Sequence, residues 1–278
     1  MAHPLGFIGA GKLAGSVIRG LLLKKVCAPG EIIASEPHAE IRGRLGNELA
    51  IEFTAENSEV AEKAKTIFIG VKPQMVLAVL RELGDGLSGR LVVSFAAGVR
   101  IASMEAATQA RVMRVMTNTP SAIGRAATGY AAGARATEAD RRMIGEMFNA
   151  IGTAVEVSDE QIDAVTALAG SGPAFVYAMI EGLAAGAAEQ GMEANAALKL
   201  AAQTALGAAE LALTSGKSPE ELIRMVVTPG GTTAAGLRIM QERRTREAMT
   251  AAIEAATARG REMARESATD AEASGGIH

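Results

Sequence analysis

A chain of 278 residues, 49% of them hydrophobic and many of those alanine, can bury more than one core and favours helices that approach one another closely. A net charge of −3 with 3% aromatics supplies neither a basic phosphate-tracking face nor stacking platforms for bases, which argues against nucleic acid as a partner. The single cysteine, Cys27, excludes an intrachain disulfide and a thiolate metal cluster. The start Met1-Ala2-His3-Pro4 lacks a basic, apolar, cleavable leader, so the expectation is a cytoplasmic protein.

Leu5-Gly6-Phe7-Ile8 reads as a strand, Gly9-Ala10-Gly11-Lys12-Leu13-Ala14 as a tight turn, and Val17, Ile18, Leu21 and Leu22 as the apolar stripe of a helix. This GxGxxA spacing is the dinucleotide fingerprint: Gly9 turns the chain, Gly11 lets backbone approach a pyrophosphate, and Ala14 allows the helix to pack closely. A second strand, Glu31-Ile32-Ile33-Ala34, ends at Ser35 and Glu36, where a cofactor's adenosine ribose belongs. Serine there tolerates a 2′-phosphate and glutamate repels one. Arg42 and Arg44 either compensate or are solvated charges, so NADPH and NADH both stay open.

Strands recur at Thr66–Gly70, Leu91–Phe95 and Val112–Met116, separated by helix-sized segments, as in a parallel sheet covered by helices. The segments after them, Val71-Lys72-Pro73-Gln74, Ala96-Ala97-Gly98 and Thr117-Asn118-Thr119-Pro120, fall beyond the carboxyl ends of the strands, where ligands bind. Thr137 and Asp140 open a further helix to Ala150, and Thr153–Val157 closes the alternating pattern.

From Ser158 the signals are helical only: about 158–190, 194–214, 218–227 and 232–265, with a Ser/Ala/Gly-rich tail expected to fray from about residue 266. The expected division is an N-terminal Rossmann-like parallel-sheet domain over residues 1–157 and an all-α domain over 158–278. Pro173 interrupts the first of these helices. Its apolar run Gly172–Ala188, broken by Glu181, reads as a buried helix rather than a membrane span. An all-α half this rich in alanine has little bulk for a core of its own, which suggests burial against a second copy.

Pro229-Gly230-Gly231-Thr232-Thr233 precedes the last helical stretch. It is either an ordinary interhelical turn or a helix start whose free N–H groups hold a carboxylate, with two hydroxyls beside them. Of the three histidines, His3 and His38 lie in the first half and His278 ends the chain, the first long helix has no lysine, and no His/Asp/Glu cluster has metal spacing. A nucleotide fold with a carboxylate grip and no strong acid suits reduction of a C=N bond, because a protonated iminium needs no proton from the protein as hydride arrives.

The segments GFIGAGKLAGSVIRGL, VKPQM, SFAAGV, MTNTP, DAVTALAGSGPAF and VVTPGGTTAAGL, in this order from about residue 5 to residue 265, resemble the pyrroline-5-carboxylate reductase family. The resemblance implies reduction of L-1-pyrroline-5-carboxylate to L-proline by NADPH or NADH, the last step of proline biosynthesis. It also implies a homodimer, further assembled in some members, with each active site shared between chains. Carried onto this sequence, Gly9, Ala10, Gly11, Lys12 and Leu13 hold the pyrophosphate, and Ser35 and Asn57 the ribose region. Val71, Lys72, Pro73, Ala96 and Ala97 lie on the nicotinamide side. Gly231, Thr232 and Thr233 bind the substrate carboxylate, the Thr233 hydroxyl lies near the ring nitrogen, and Asp159 matches an acidic position near the site that is equally a helix-start charge. A related reductase of another cyclic imine or a small hydroxy or keto acid is the competing reading; its hydroxy-acid form needs a lysine that is absent. The chain departs from the family pattern at Glu36, at Thr117 and Thr228, and at Arg243-Arg244, which replaces a frequent Gly-Gly and is expected to extend the helix.

Overall fold

The computed structural model describes residues 3–275, with side chains to residue 266. Eight strands form one sheet: β1 (His3–Ile8), β2 (Ile32–Ser35), β3 (Glu52–Thr54), β4 (Ala64–Ile69), β5 (Leu91–Ser94), β6 (Arg111–Met116), β7 (Ala126–Ala132) and β8 (Gly152–Glu156), in the order β3-β2-β1-β4-β5-β6-β7-β8. Pairing is parallel throughout except between β6 and β7. The central strands are buried on both faces, as a sheet covered by helices requires. On one face pack α1 (Lys12–Leu23), α2 (Ala39–Leu49) and α6 (Glu138–Ala150); on the other α3 (Asn57–Lys63), α4 (Val76–Leu83) and α5 (Ile101–Ala107). Phe7 and Phe68 on neighbouring strands stack at 4.8 Å, and Phe68 and Phe95 at 5.4 Å; Phe148 of α6 meets the last two edge-on.

Register decides where a ligand can lie. Ile8 is level with Ser35 on one side and Ile69 on the other, and Ile69 with Ser94. The segments starting at Gly9, Glu36, Gly70 and Phe95 therefore leave the sheet side by side, and the strand order reverses at β1, which makes the crevice between β1 and β4 the switch point of the sheet.

By contacts the chain divides into two units, one reaching Ser171 and taking up the residues from Ala255 on, the other spanning Gly172–Glu254. The division thus falls later than residue 157. Residues 158–171 carry helical signals, yet α7 (Ile162–Val165) packs on the sheet through fully buried Ile162, and a π-helical turn, Thr166–Gly170, follows it. The final helix returns residues to the first unit: a Cβ on Gly98, whose φ is +73°, would come within 2.9 Å of Met263.

The second unit contains α8 (Gly172–Glu189), α9 (Ala194–Thr214), α10 (Pro219–Val226), α11 (Thr232–Glu242) and the start of α12 (Thr245–Gly275). Ser218 caps α10 with Glu221 reaching back, as the sequence predicts. The expected buried helix at Gly172–Ala188 is not buried within the chain. Only Ala184 of α8 is, and the unit's core is Ala184, Ala197 and Ala201, while Tyr177, Leu183, Leu198, Leu206 and Leu213 stand exposed. By length and composition Ile162–Glu189 could cross a membrane, but it carries Asp163, Glu181 and Glu189.

Two further expectations change. Arg243-Arg244 does not extend the last helix: α11 stops at Glu242 and α12 starts at Thr245, with Arg244 left-handed at φ 53°. The charged pair occupies a turn that glycine adopts without strain. Arg244→Gly is therefore expected to raise stability by about 0.5–1 kcal/mol, the relief of a left-handed non-glycine residue less the extra freedom of the unfolded chain. Urea unfolding checks this, with Arg244→Val moving the midpoint the other way. The helix also continues past residue 265 to Gly275; fraying expected for residues 276–278 lies outside the described residues.

Candidate active site

Gly11 is the N-cap of α1. No side chain caps this helix, and no acidic residue lies in its first turn, so its first amides face outward beside Lys12. Gly9, at φ +85°, is pressed against Gly70 and Val71. An added Cβ on Gly11 would meet nothing within 4 Å, so the protein's own packing does not need that glycine and the bare backbone faces outward. Next to it is a cavity of about 460 Å³, bordered by Lys12, Arg19, Glu36, Arg44 and Thr119. An anion-ready helix start, bare backbone at Ala10, Gly11 and Lys12, and a nucleotide-sized cavity between α1 and α2 fit a dinucleotide.

Ser35 and Asn57 are adjacent, but they face each other. The buried Ser35 hydroxyl donates to Asn57 Oδ1 at 2.7 Å. Arg42 donates to the carbonyls of Glu36 and Pro37 at 2.7 and 2.8 Å. Beyond β4 and β5, Val71, Lys72 and Pro73 are partly or fully exposed, whereas Ala96 is buried, its amide donating to Ser94 Oγ at 3.2 Å, and Ala97 is half-buried.

Thr117 and Asn118, expected among the lining segments, turn inward. Thr117 Oγ1 pairs with Thr128 Oγ1 at 2.8 Å; Asn118 accepts from the Ala127 amide and donates to the Ala169 carbonyl at 3.1 Å. Asn118 thus ties the end of β6 and strand β7 to the π-turn two residues before the second unit begins. The sequence hides this role: an asparagine in a polar loop looks like a lining residue, and its partner lies 51 residues away.

Asp159 is placed by the structure inside an ionic quartet. Its Oδ1 accepts from Arg114 Nη1 at 2.5 Å and its Oδ2 from the Ile101 amide at 3.1 Å. Its carbonyl accepts from Arg100 Nη1 at 2.9 Å, and Arg100 also pairs with the buried Asp163. With each carboxylate oxygen bonded to the protein, Asp159 braces the N-terminus of α5 and the loop after β5.

In the second unit, Gly230 is left-handed at φ +71°, and Gly231 is the N-cap of α11, with Thr228 Oγ1 2.3 Å from where its Cβ would be. The Gly231 amide donates to the Thr228 carbonyl at 3.0 Å, so it closes the turn. The next donors, the amides of Thr232 and Thr233, open the helix with no side-chain cap and no first-turn acid.

Switch-point crevice, outward helix start and phosphate-ready glycine loop together define a dinucleotide-binding protein of the Rossmann class. Over 264 residues the chain is 39% identical to the pyrroline-5-carboxylate reductase of Methanosarcina acetivorans, covering 94% of this chain and 98% of that one. It is also 39% identical to that of Pseudomonas aeruginosa over 95% and 98% of the two chains. The chain belongs to the pyrroline-5-carboxylate reductase family. The family described as "Pyrroline-5-carboxylate reductase dimerisation" matches residues 159–263, and "NADP oxidoreductase coenzyme F420-dependent" matches residues 4–98. Among solved structures, the Coxiella burnetii pyrroline-5-carboxylate reductase is similar at TM-score 0.86 and 30% identity, over 95% of this chain and 99% of that one. The Plasmodium falciparum pyrroline carboxylate reductase with NADP bound is similar at TM-score 0.86 and 26% identity, over 94% and 98%.

Proposed function

We propose that this protein reduces L-1-pyrroline-5-carboxylate to L-proline, with the start of α11 as the carboxylate grip. The observation that carries the reading is the pair of uncapped first-turn amides at Thr232 and Thr233, where main-chain N–H groups and the helix dipole both favour an anion. The Gly231 amide closes the turn beneath them, so Gly231 contributes shape and the two threonines contribute donors. The Thr233 hydroxyl orients the ring nitrogen. The substrate enters as the protonated iminium, and the protein needs no general acid for the hydride step. That is consistent with a helix α8 free of lysine and histidine.

Gly9 to Leu13 hold the dinucleotide pyrophosphate, the cavity beside Glu36 takes the adenosine ribose, and Val71, Lys72, Pro73, Ala96 and Ala97 border the nicotinamide. When bound, the reduced nicotinamide supplies hydride to the C=N carbon. The exposed apolar side chains of α8 and α9 are covered by a second copy rather than by lipid: they flank Glu181 and Glu189, and the matching family is named for dimerisation. Each site then combines the nucleotide unit of one protomer with an α11 start from the pair, and the dimer assembles further in the cytoplasm. A steady-state assay with pyrroline-5-carboxylate and each reduced cofactor tests the reaction. Turnover of a six-membered cyclic imine but not of this substrate would replace it.

A further inference from the structure

We infer that this protein selects NADH over NADPH, and that Glu36 is the residue that selects. The inference rests on the reading that the cavity beside Gly11 takes the adenosine ribose, and it fixes what the sequence alone leaves open.

Two groups near the end of β2 that would welcome a 2′-phosphate, the Ser35 hydroxyl and the Arg42 guanidinium, are otherwise engaged. Ser35, the residue that tolerates phosphate, is 1% exposed and donates its hydroxyl to Asn57. Asn57 Oδ1 is the acceptor of that bond. Arg42 spends one guanidinium nitrogen on the carbonyls of Glu36 and Pro37, holding the turn instead of facing the cavity.

Glu36 is the opposite case. Its side chain is 11% exposed and fixed on one side: Oε1 accepts from the His38 amide at 3.1 Å and pairs with His38 Nδ1 at 2.7 Å. Oε2 has no partner in the protein among the described residues, and Glu36 borders the cavity that also touches Gly11 and Lys12. A carboxylate anchored by one oxygen and open at the other, one residue past the second strand, accepts a ribose 2′-hydroxyl and repels a phosphate in the same place. Lys12, Arg19 and Arg44 border the same cavity, Arg19 paired with Glu48 at 2.6 Å, so NADPH is disfavoured rather than shut out. Even with water-like screening, a phosphate held about 5 Å from a carboxylate loses roughly tenfold in affinity.

Dissociation constants measured by quenching of nicotinamide fluorescence, without imine, test this apart from turnover. The wild-type protein is expected to bind NADH at least about tenfold more tightly than NADPH. Glu36→Gln, which keeps the size and the contact to His38 but removes the charge, should shrink that ratio about tenfold; Glu36→Ser should do the same or invert it. The pair adenosine 5′-diphosphate and 2′-phosphoadenosine 5′-diphosphate, as inhibitors, should show the same shift. Tighter NADPH binding by the wild type, or a ratio unmoved in Glu36→Gln, overturns the selectivity while leaving the nucleotide site standing. Failure to bind either cofactor overturns the assignment of the cavity, and this inference with it.

Discussion

Thr233→Ala is expected to lower kcat/KM for pyrroline-5-carboxylate about 10²-fold, the usual effect of removing one well-placed donor from a site shielded from water. The dissociation constant for the dinucleotide should not move, since the proposed role of Thr233 is on the substrate ring and that of the glycine loop on the pyrophosphate. The argument starts from what helical threonines ordinarily do. Thr166, Thr214 and Thr250 each donate to the carbonyl four residues back, at 2.8, 2.8 and 3.2 Å. Thr233 has no such outlet, because the residue four back is Pro229, before the helix starts. Its hydroxyl makes no hydrogen bond among the described residues, and its side chain is half-buried where that of Thr232 is exposed. Thr233→Ser keeps the hydroxyl and should retain most of the activity. Thr232→Ala keeps the amide and loses only an exposed side chain, so its kcat/KM should stay within about threefold, as expected where no hydrogen bond is lost. Equal losses in Thr232→Ala and Thr233→Ala would mean that the turn was disturbed rather than a donor removed.

What the sequence made legible was local. The strand, glycine turn and helix at the N-terminus show themselves through spacing, as do the capping pairs Thr137/Asp140 and Ser218/Glu221, because their cause lies within a few residues. Strand β3 is only three residues long and opens on Glu52, and β7 is built mostly from alanine and glycine around one tyrosine; pairing to β2, and to β6 and β8, makes them strands. The break after α11 was hidden because two arginines are good helix formers and the left-handed residue is not a glycine. The dual nature of the candidate site follows the same division. The glycine fingerprint and Pro-Gly-Gly-Thr-Thr were readable as motifs. That Ser35 faces Asn57, that Asn118 holds the π-turn, and that Asp159 serves Arg114 are facts of residues 22, 51 and 45 positions apart, which no local pattern encodes.

Asp159→Ala is expected to destabilise the fold by about 3–5 kcal/mol, the range for removing one partner of a buried ion pair. Arg114 projects from a central strand, is 1% exposed and cannot give up its proton; its Nε and Nη2 have no partner among the described residues. Removing Asp159 strands that charge and also takes the acceptor from the Ile101 amide at the start of α5. The same buried charge makes the double variant informative. Arg114→Met combined with Asp159→Ala removes both charges, and apolar replacement of a buried pair is close to neutral in other proteins, so more than half of the loss should return. Urea midpoints of the two single variants and the double variant give the coupling directly. Losses that simply add would show that Asp159 stabilises through α5 alone. If instead Asp159→Ala leaves stability intact and raises KM for the imine, its carboxylate faces substrate after all, and the bracing role falls.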